Sequence, residues 1–110
     1  MPTRQIRRSG RFVAEAKAMF PAGGSAGGRP SFALFEDGPC RAASTAFSLN
    51  FEAQREAIEG VGAIRLVLTP PTPIFGPLIF YGVLLNDDII ELASITGDPD
   101  YWQRIDEDPA

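Results

Sequence analysis

The spacing of the apolar residues changes at Gly60, and this change constrains the fold more than any other feature of the sequence. Before it, in residues 39–59, Phe47, Phe51 and Ile58 recur at helical spacing, which predicts a long amphipathic helix that ends at a C-terminal glycine. After it, the apolar residues alternate with a period of two, as in a strand. The sequence therefore predicts an α+β fold in which this helix packs through its aromatic residues on an antiparallel sheet.

Three strands are predicted after the helix. Residues 64–69 alternate in hydropathy, and residues 78–85 form a near-continuous apolar run, which is typical of a central strand covered on both faces. A turn at 86–88 joins this run to a third strand over 89–95. Between the first two strands, four of the eight residues in 70–77 are proline and cannot donate to a ladder. These patterns predict a three-stranded antiparallel sheet.

The N-terminal half adds a short strand and a first helix. Residues 3–8 are polar apart from Ile6, which is typical of an edge strand. Ser9 is the predicted N-cap of a helix that ends at Pro21. The glycine-rich residues 22–30 predict a loop, and the absence of a following Lys-Ser/Thr argues against a phosphate-binding loop. The predicted order is thus a short edge strand, two helices with the second one long, and then the sheet.

Length and composition restrict the possible functions. The chain has 110 residues, which predicts a single domain over residues 1–110. It has no His and one Cys, which excludes an internal disulfide, the usual serine and cysteine triads, and His-containing zinc sites. We therefore expect no metal, no cofactor and no catalytic residues. No apolar stretch is long enough for a membrane helix, and no secretory signal is recognisable, so the expected location is the cytoplasm.

The net charge of −4 is unevenly distributed along the chain. A basic N-terminal arm spans residues 1–11, and an acidic C-terminal tail spans residues 98–110. Four arginines make the arm basic: Arg4, Arg7, Arg8 and Arg11. They either bind nucleic acid or an acidic partner, or dock against the acidic end of the chain itself. Since four arginines neutralise at most about four phosphates, we expect a protein partner or a homodimer rather than nucleic acid.

The order of predicted elements, at this length, resembles the RelE/ParE superfamily of small bacterial toxins. The resemblance covers roughly residues 3–96 and rests on three segments. They are Ser9-Gly10-Arg11-Phe12 at the start of the first helix, Ala63-Ile64-Arg65-Leu66-Val67 after the long helix, and the hairpin of residues 80–92. The resemblance implies the toxin of a type II toxin–antitoxin system, neutralised by a partner antitoxin. RelE-like members cut messenger RNA on the ribosome, and ParE-like members poison DNA gyrase.

The chain departs from the ribonuclease members where they carry cations. Those members are usually strongly basic, with an arginine before the Phe-Tyr pair of the central strand, where this chain has Leu78 and Ile79. After the last strand it has Asp98 and Asp100 in place of basic groups. Cleavage of RNA needs cations to stabilise the transition-state charge. We therefore expect a toxin-like protein that acts through protein–protein binding and lacks ribonuclease activity. The alternative is a non-enzymatic interaction protein that uses its sheet edge and the loop 70–77.

Five residues are predicted to contact a partner: Ile74, Phe75, Arg65, Arg7 and Arg8. Ile74 and Phe75 form an apolar pair in a stiff loop, and they either mark a partner site or fold back over the core. Arg65 either contacts phosphate or an antitoxin, or forms an ion pair within the chain, with Glu91 or with an acid of the long helix.

Other chemically reactive residues favour structural roles. Tyr81 is more typical of a core aromatic than of a general acid, and Cys40 of an inert small residue than of a reactive thiol. The C-terminal acids lack the spacing of a calcium loop, which favours a solvated tail over a cation site.

Overall fold

In the computed structural model of the protein, helices pack on one face of a five-stranded sheet. The structure describes residues 3–24, 29–98 and 101. The strands are β1 (Gln5–Arg8), β2 (Arg55–Glu56), β3 (Ile64–Thr69), β4 (Leu78–Asn86) and β5 (Ile89–Gly97). The helices are α1 (Gly10–Met19), α2 (Phe32–Phe35) and α3 (Arg41–Asn50). The predicted α+β class is confirmed. Within the described ranges, none of the helices has the length and apolar character that crossing a membrane requires.

The sheet is mixed, with the strand order β1-β5-β4-β3-β2. β3, β4 and β5 pair antiparallel as predicted, but β1 joins parallel to β5, with Gln5 opposite Ile89. β2 extends the other side by pairing with β3. The predicted three-stranded antiparallel arrangement therefore holds for the middle of the sheet only, because the whole sheet has five strands and is mixed. Periodicity could not predict this arrangement, because the pairing of the first strand with the last joins residues that are distant in the chain.

The first helix begins and ends where the sequence predicts. The Ser9 hydroxyl accepts a hydrogen bond from the Phe12 N–H at 3.0 Å, which satisfies a free donor of the first turn. The same hydroxyl donates to the Ala93 carbonyl at 3.1 Å, so the cap also ties α1 to β5. Phe12 and Ala16 are buried, and the helix stops before Pro21. β1 lies at the edge of the sheet, as its polar sequence predicts.

The second helix differs from its predicted span of 39–59 at both ends. Helical structure begins at the Ser31 cap, passes through a wide turn over Glu36–Cys40 and continues into α3. Pro39 lies inside that wide turn, where its missing N–H and its ring are accommodated. At the other end α3 stops at Asn50, followed by one tight turn over Phe51–Ala53.

The early end of α3 is fixed by Gln54. Its side-chain amide donates to the carbonyls of Asn50 at 3.0 Å and Ala46 at 3.4 Å, which satisfies acceptors left free at the helix end. The chain then enters β2, so Ile58 falls in the connection before β3 and is 54% exposed. The prediction that Ile58 packs in the core is wrong. The burial of Phe47 and Phe51 is confirmed.

Phenylalanine rings fill the space between the two layers. Phe35 is fully buried and stacks on Phe80 of β4, with ring centroids 5.9 Å apart, and on Phe20, at 5.0 Å. Phe12 of α1 contacts both Phe35 and Phe80. Because the rings of this cluster come from both the helices and the sheet, the cluster holds the two layers together.

The face of the sheet opposite the helices, hereafter the outer face, is apolar along its two middle strands. The alternation of the ladder places six side chains there: Ile64, Leu66 and Leu68 from β3 and Ile79, Tyr81 and Val83 from β4. All six keep some solvent exposure, whereas Leu78 and Phe80 on the helical face are buried. The described helices therefore cover β4 on one face only, contrary to the prediction that this strand is covered on both.

Glu15 of α1 binds the part of β5 that does not pair with β1. Pairing with β1 stops at Leu92, and beyond it the Glu15 carboxylate accepts from the Ile95 N–H at 3.2 Å and the Ser94 hydroxyl at 2.8 Å. Desolvation alone would raise the pKa of Glu15, but these bonds and Arg11 together lower it below its ordinary value. A carboxylate thus occupies this stretch of edge in place of a strand.

Candidate functional site

Thr72 shapes the proline-rich loop between β3 and β4. Its hydroxyl accepts from the N–H groups of Ile74 and Phe75, at 3.2 and 2.9 Å, and its own N–H donates to the Phe75 carbonyl at 2.8 Å. This tight turn directs the Phe75 ring inward, where it meets Phe20 edge-on at 5.4 Å. Phe75 is 6% exposed and Ile74 is 55% exposed, so the two predicted residues have opposite environments.

An apolar groove lies between this loop and the start of α3. It has a volume of about 330 Å³, within the range of sites that hold a small ligand or a bulky side chain. Its walls are Gly38, Pro39, Ala42, Thr69, Pro70, Thr72, Ile74 and Phe75. None of these side chains is ionisable, so the groove favours an uncharged occupant.

Beside the groove, the edge of β3 is open. β2 covers β3 only at Arg65 and Leu66, with one further bond from the Ala57 N–H to the Ile64 carbonyl. In an antiparallel ladder alternate residues bond to opposite neighbours, so Leu68, like Ile64 and Leu66, directs its N–H and C=O away from β4. No described strand lies opposite Leu68 on that side, and its side chain is 60% exposed.

An open edge beside an apolar groove is suited to bind an extended peptide. A peptide paired with Leu68 would gain main-chain hydrogen bonds from the edge. Because successive side chains of a strand point to opposite faces, the peptide residues on either side of that pairing point toward the helical layer, where the groove lies. The main chain would supply affinity and the groove would supply selectivity.

Three of the five predicted contact residues lie away from this groove. Ile74 and Phe75 line it, whereas Arg65 lies farther along β3, and Arg7 and Arg8 lie on β1 at the opposite edge of the sheet. The structure therefore does not bring the five residues together.

Arg65 is held by the chain itself, but not by the acids that the sequence suggested. Its guanidinium donates to the carbonyls of Gly62, at 2.9 Å, and Gln54, at 2.8 Å. It also lies over the Phe51 ring, 5.7 Å from the centroid. These contacts tie β3 to the turn after α3, which is a structural role.

The arginines of the basic arm form ion pairs with acids from several parts of the chain. Arg7 pairs with Glu91 at 3.1 Å, and Arg8 with Glu36 at 2.7 Å. Arg4 pairs with Glu52 and Arg11 with Glu15. The acidic tail predicted at 98–110 lies outside the described residues, apart from Asp98 and Tyr101, so docking onto that tail stays a prediction.

Cys40 lies next to this arm. The thiol is fully buried, and the Arg8 guanidinium is 3.6 Å from its sulfur. Burial raises the pKa of Cys40 despite the nearby cation, which keeps the sulfur protonated and unreactive.

Tyr81 lies on the outer face. Among the described residues, no cluster of three or more Cys, Asp or Glu side chains is arranged to hold a metal ion.

Sequence reasoning missed the groove walls from α3 and the open edge. Ala42 carries no chemical signal in a sequence, and its place in the groove depends on the packing of α3 against β3. Thr72 did offer a signal, because a threonine hydroxyl in a turn can accept a hydrogen bond from the backbone N–H two residues later. The opening at Leu68 follows from the two-residue length of β2, which the predicted long helix concealed.

Comparisons with protein-family models, with curated proteins and with solved structures found no match to this chain.

Proposed function

We propose that this protein is a non-enzymatic binding module that holds an extended, uncharged segment of another protein. The observation that carries the proposal is the open edge of β3 at Leu68 directly beside the apolar groove. The surroundings favour this occupant, because the groove walls have no ionisable side chain and the exposed Ile74 extends the apolar surface.

The main chain and the side chains have separate roles in this mode of binding. The N–H and C=O of Leu68 can form one pair of hydrogen bonds with the peptide. The next residue that faces this edge is Pro70, which has no N–H to donate. The ladder is therefore short, and most discrimination falls on the side chain inserted between Ala42 and Phe75. We expect a large aliphatic or aromatic anchor, with small or polar residues tolerated on the solvent side.

The test is a selection from a displayed library of short random peptides on the immobilised protein, repeated on Ala42→Trp. Ala42 is exposed at the groove wall, so an indole there fills the space without disturbing the core. Peptides with an apolar anchor should bind the wild type and lose affinity by about tenfold or more on Ala42→Trp. Ala18→Trp, on the exposed surface of α1, is the matched control and should bind like the wild type.

A second variant separates strand pairing from side-chain insertion. Leu68→Pro removes the N–H that points to the open edge and leaves the bonds between β3 and β4 in place. The selected peptides should bind this variant weakly, and methylation of the peptide nitrogen opposite Leu68 should weaken binding to the wild type. Selection of no peptide class, or equal binding to wild type and Ala42→Trp, contradicts the proposal.

We propose as a second candidate a RelE/ParE-like toxin without ribonuclease activity. It is supported by the order of elements, in which the edge strand β1 and the helices α1 to α3 precede β3, β4 and β5, and by the structural contacts of Arg65. Induced expression should then arrest growth, and co-expression of the product of an adjacent short reading frame should restore it. Normal growth contradicts this candidate, and cleavage of ribosome-bound RNA that is lost on Arg65→Ala contradicts the absence of nuclease activity.

A further inference from the structure

The outer face has the sequence of a buried surface. Residues 78–85 form a near-continuous apolar run, the pattern of strands that are covered on both faces. The described helices cover one of these faces, and the six apolar side chains of the outer face lie together on β3 and β4. A contiguous apolar surface of this kind marks a contact with another molecule.

Charged side chains flank this apolar surface and do not interrupt it. On the β2 side, Arg55 shares the outer face with Leu66 and forms no ion pair with any described residue. On the β5 side, Glu91 lies opposite Val83 and pairs with Arg7 at 3.1 Å. The surface thus has an unpaired cation on one flank and, on the other, a carboxylate that is paired within the chain with Arg7.

We propose that a second copy of this chain covers the outer face and forms a symmetric dimer with sheets packed face to face. A two-fold axis along the strand direction between β3 and β4 places β3 of each copy on β4 of the other, and β2 on β5. Apolar residues then meet apolar residues, and Arg55 of each copy lies on the side of Glu91 of the other. The face is therefore complementary to its own image, as a two-fold interface requires.

The size of the face agrees with a modest interface. The strands β2, β3, β4 and β5 have 2, 6, 9 and 9 residues. At about 3.3 Å per residue along a strand and about 4.8 Å between strands, they have a flat footprint of about 400 Å². Protruding side chains bring the accessible surface buried by two copies to about 1,000 Å², near the lower limit for a specific complex. We therefore expect a dimer with a Kd of about 1–100 µM that dissociates on dilution.

Sedimentation of the full chain over a range of concentrations tests the proposal. The wild type should shift from its 11.9 kDa mass toward twice that value as the concentration rises. Leu66→Lys, at the centre of the outer face, should raise the dissociation constant by about tenfold or more. Leu49→Lys places the same charge at an exposed apolar residue of α3 and should leave the dimer unchanged. Circular dichroism of each variant establishes that it is folded.

Exchange of the flanking charges tests the orientation of the two copies. Arg55→Glu should weaken the dimer several-fold. The triple variant Arg55→Glu, Glu91→Arg, Arg7→Glu reverses the flanking charges and keeps the pair between positions 7 and 91 with its charges exchanged, so it should recover most of the loss. A wild-type chain that stays monomeric at about 500 µM overturns the proposal, because the face is then covered by another protein or by the rest of this chain. Recovery by the unrelated pair Arg55→Glu, Glu59→Arg overturns the orientation. Ala42→Trp should leave the dimer intact, so this test stands apart from that of the peptide groove.

Discussion

Phe35→Ala is expected to lower the free energy of unfolding by about 3–5 kcal/mol, a large fraction of the stability of a domain of this size. Phe35 is fully buried, and its ring contacts those of Phe12, Phe20, Phe32 and Phe80. Removal of the ring leaves a cavity that these neighbours cannot fill without leaving their own positions. Chemical denaturation monitored by circular dichroism measures the effect.

The neighbouring Leu34→Ala is the matched control for Phe35→Ala. Leu34 belongs to the same short helix but is 50% exposed, so its truncation should change the free energy of unfolding by about 0.5 kcal/mol or less. Equal losses from the two variants would mean that the aromatic cluster does not hold the helices to the sheet. A loss from Phe35→Ala alone supports the cluster as the centre of the core.

Gly82→Ala is expected to destabilise the protein by about 1–3 kcal/mol, although alanine is ordinarily the better strand residue. A β-carbon on Gly82 would lie 2.9 to 3.1 Å from three atoms of the Phe47 ring. That ring is fully buried and packed on Phe51, so it has little room to move. The close approach of α3 to β4 therefore depends on the absence of a side chain at this position.

A double-mutant cycle identifies the source of the Gly82→Ala effect. When Phe47 is already Leu, Gly82→Ala should destabilise the protein less than it does in the wild type, because the ring that it meets is gone. Gly10→Ala has no atom within 4 Å of the added carbon and should not destabilise the protein. A Gly82→Ala variant as stable as the wild type would show that α3 does not pack this closely on β4.

Periodicity predicted the elements whose residues carry a single pattern. α1, β3, β4 and β5 were recognisable because each shows one hydrophobic period, and Ser9 and Pro21 mark the ends of α1. The structure of residues 54–59 was not recognisable, because their charged side chains suit a helix surface and a short strand equally well. The side chain of Gln54 and the pairing with β3 decide in favour of the strand.

The candidate site was only partly predictable for a similar reason. Ile74 and Phe75 attract notice in a sequence, but which of them points to solvent depends on the hydrogen bonds of Thr72. The pairing of β1 with β5, the position of Ala42 and the open edge at Leu68 all depend on contacts between residues distant in the chain. Local patterns contain no information about such contacts until the strand order is known.

Both edges of the sheet offer only short stretches for pairing, and this bears on aggregation. A sheet with two long, open edges can add copies edge to edge without limit and grow into fibres. Here β1 is four residues long and carries Arg7 and Arg8, and the exposed stretch of β3 ends at Pro70 and Pro71. Neither edge offers a ladder long enough to template another copy. An edge that accepts one short segment and then stops allows the chain to bind a partner strand and still avoid polymerisation.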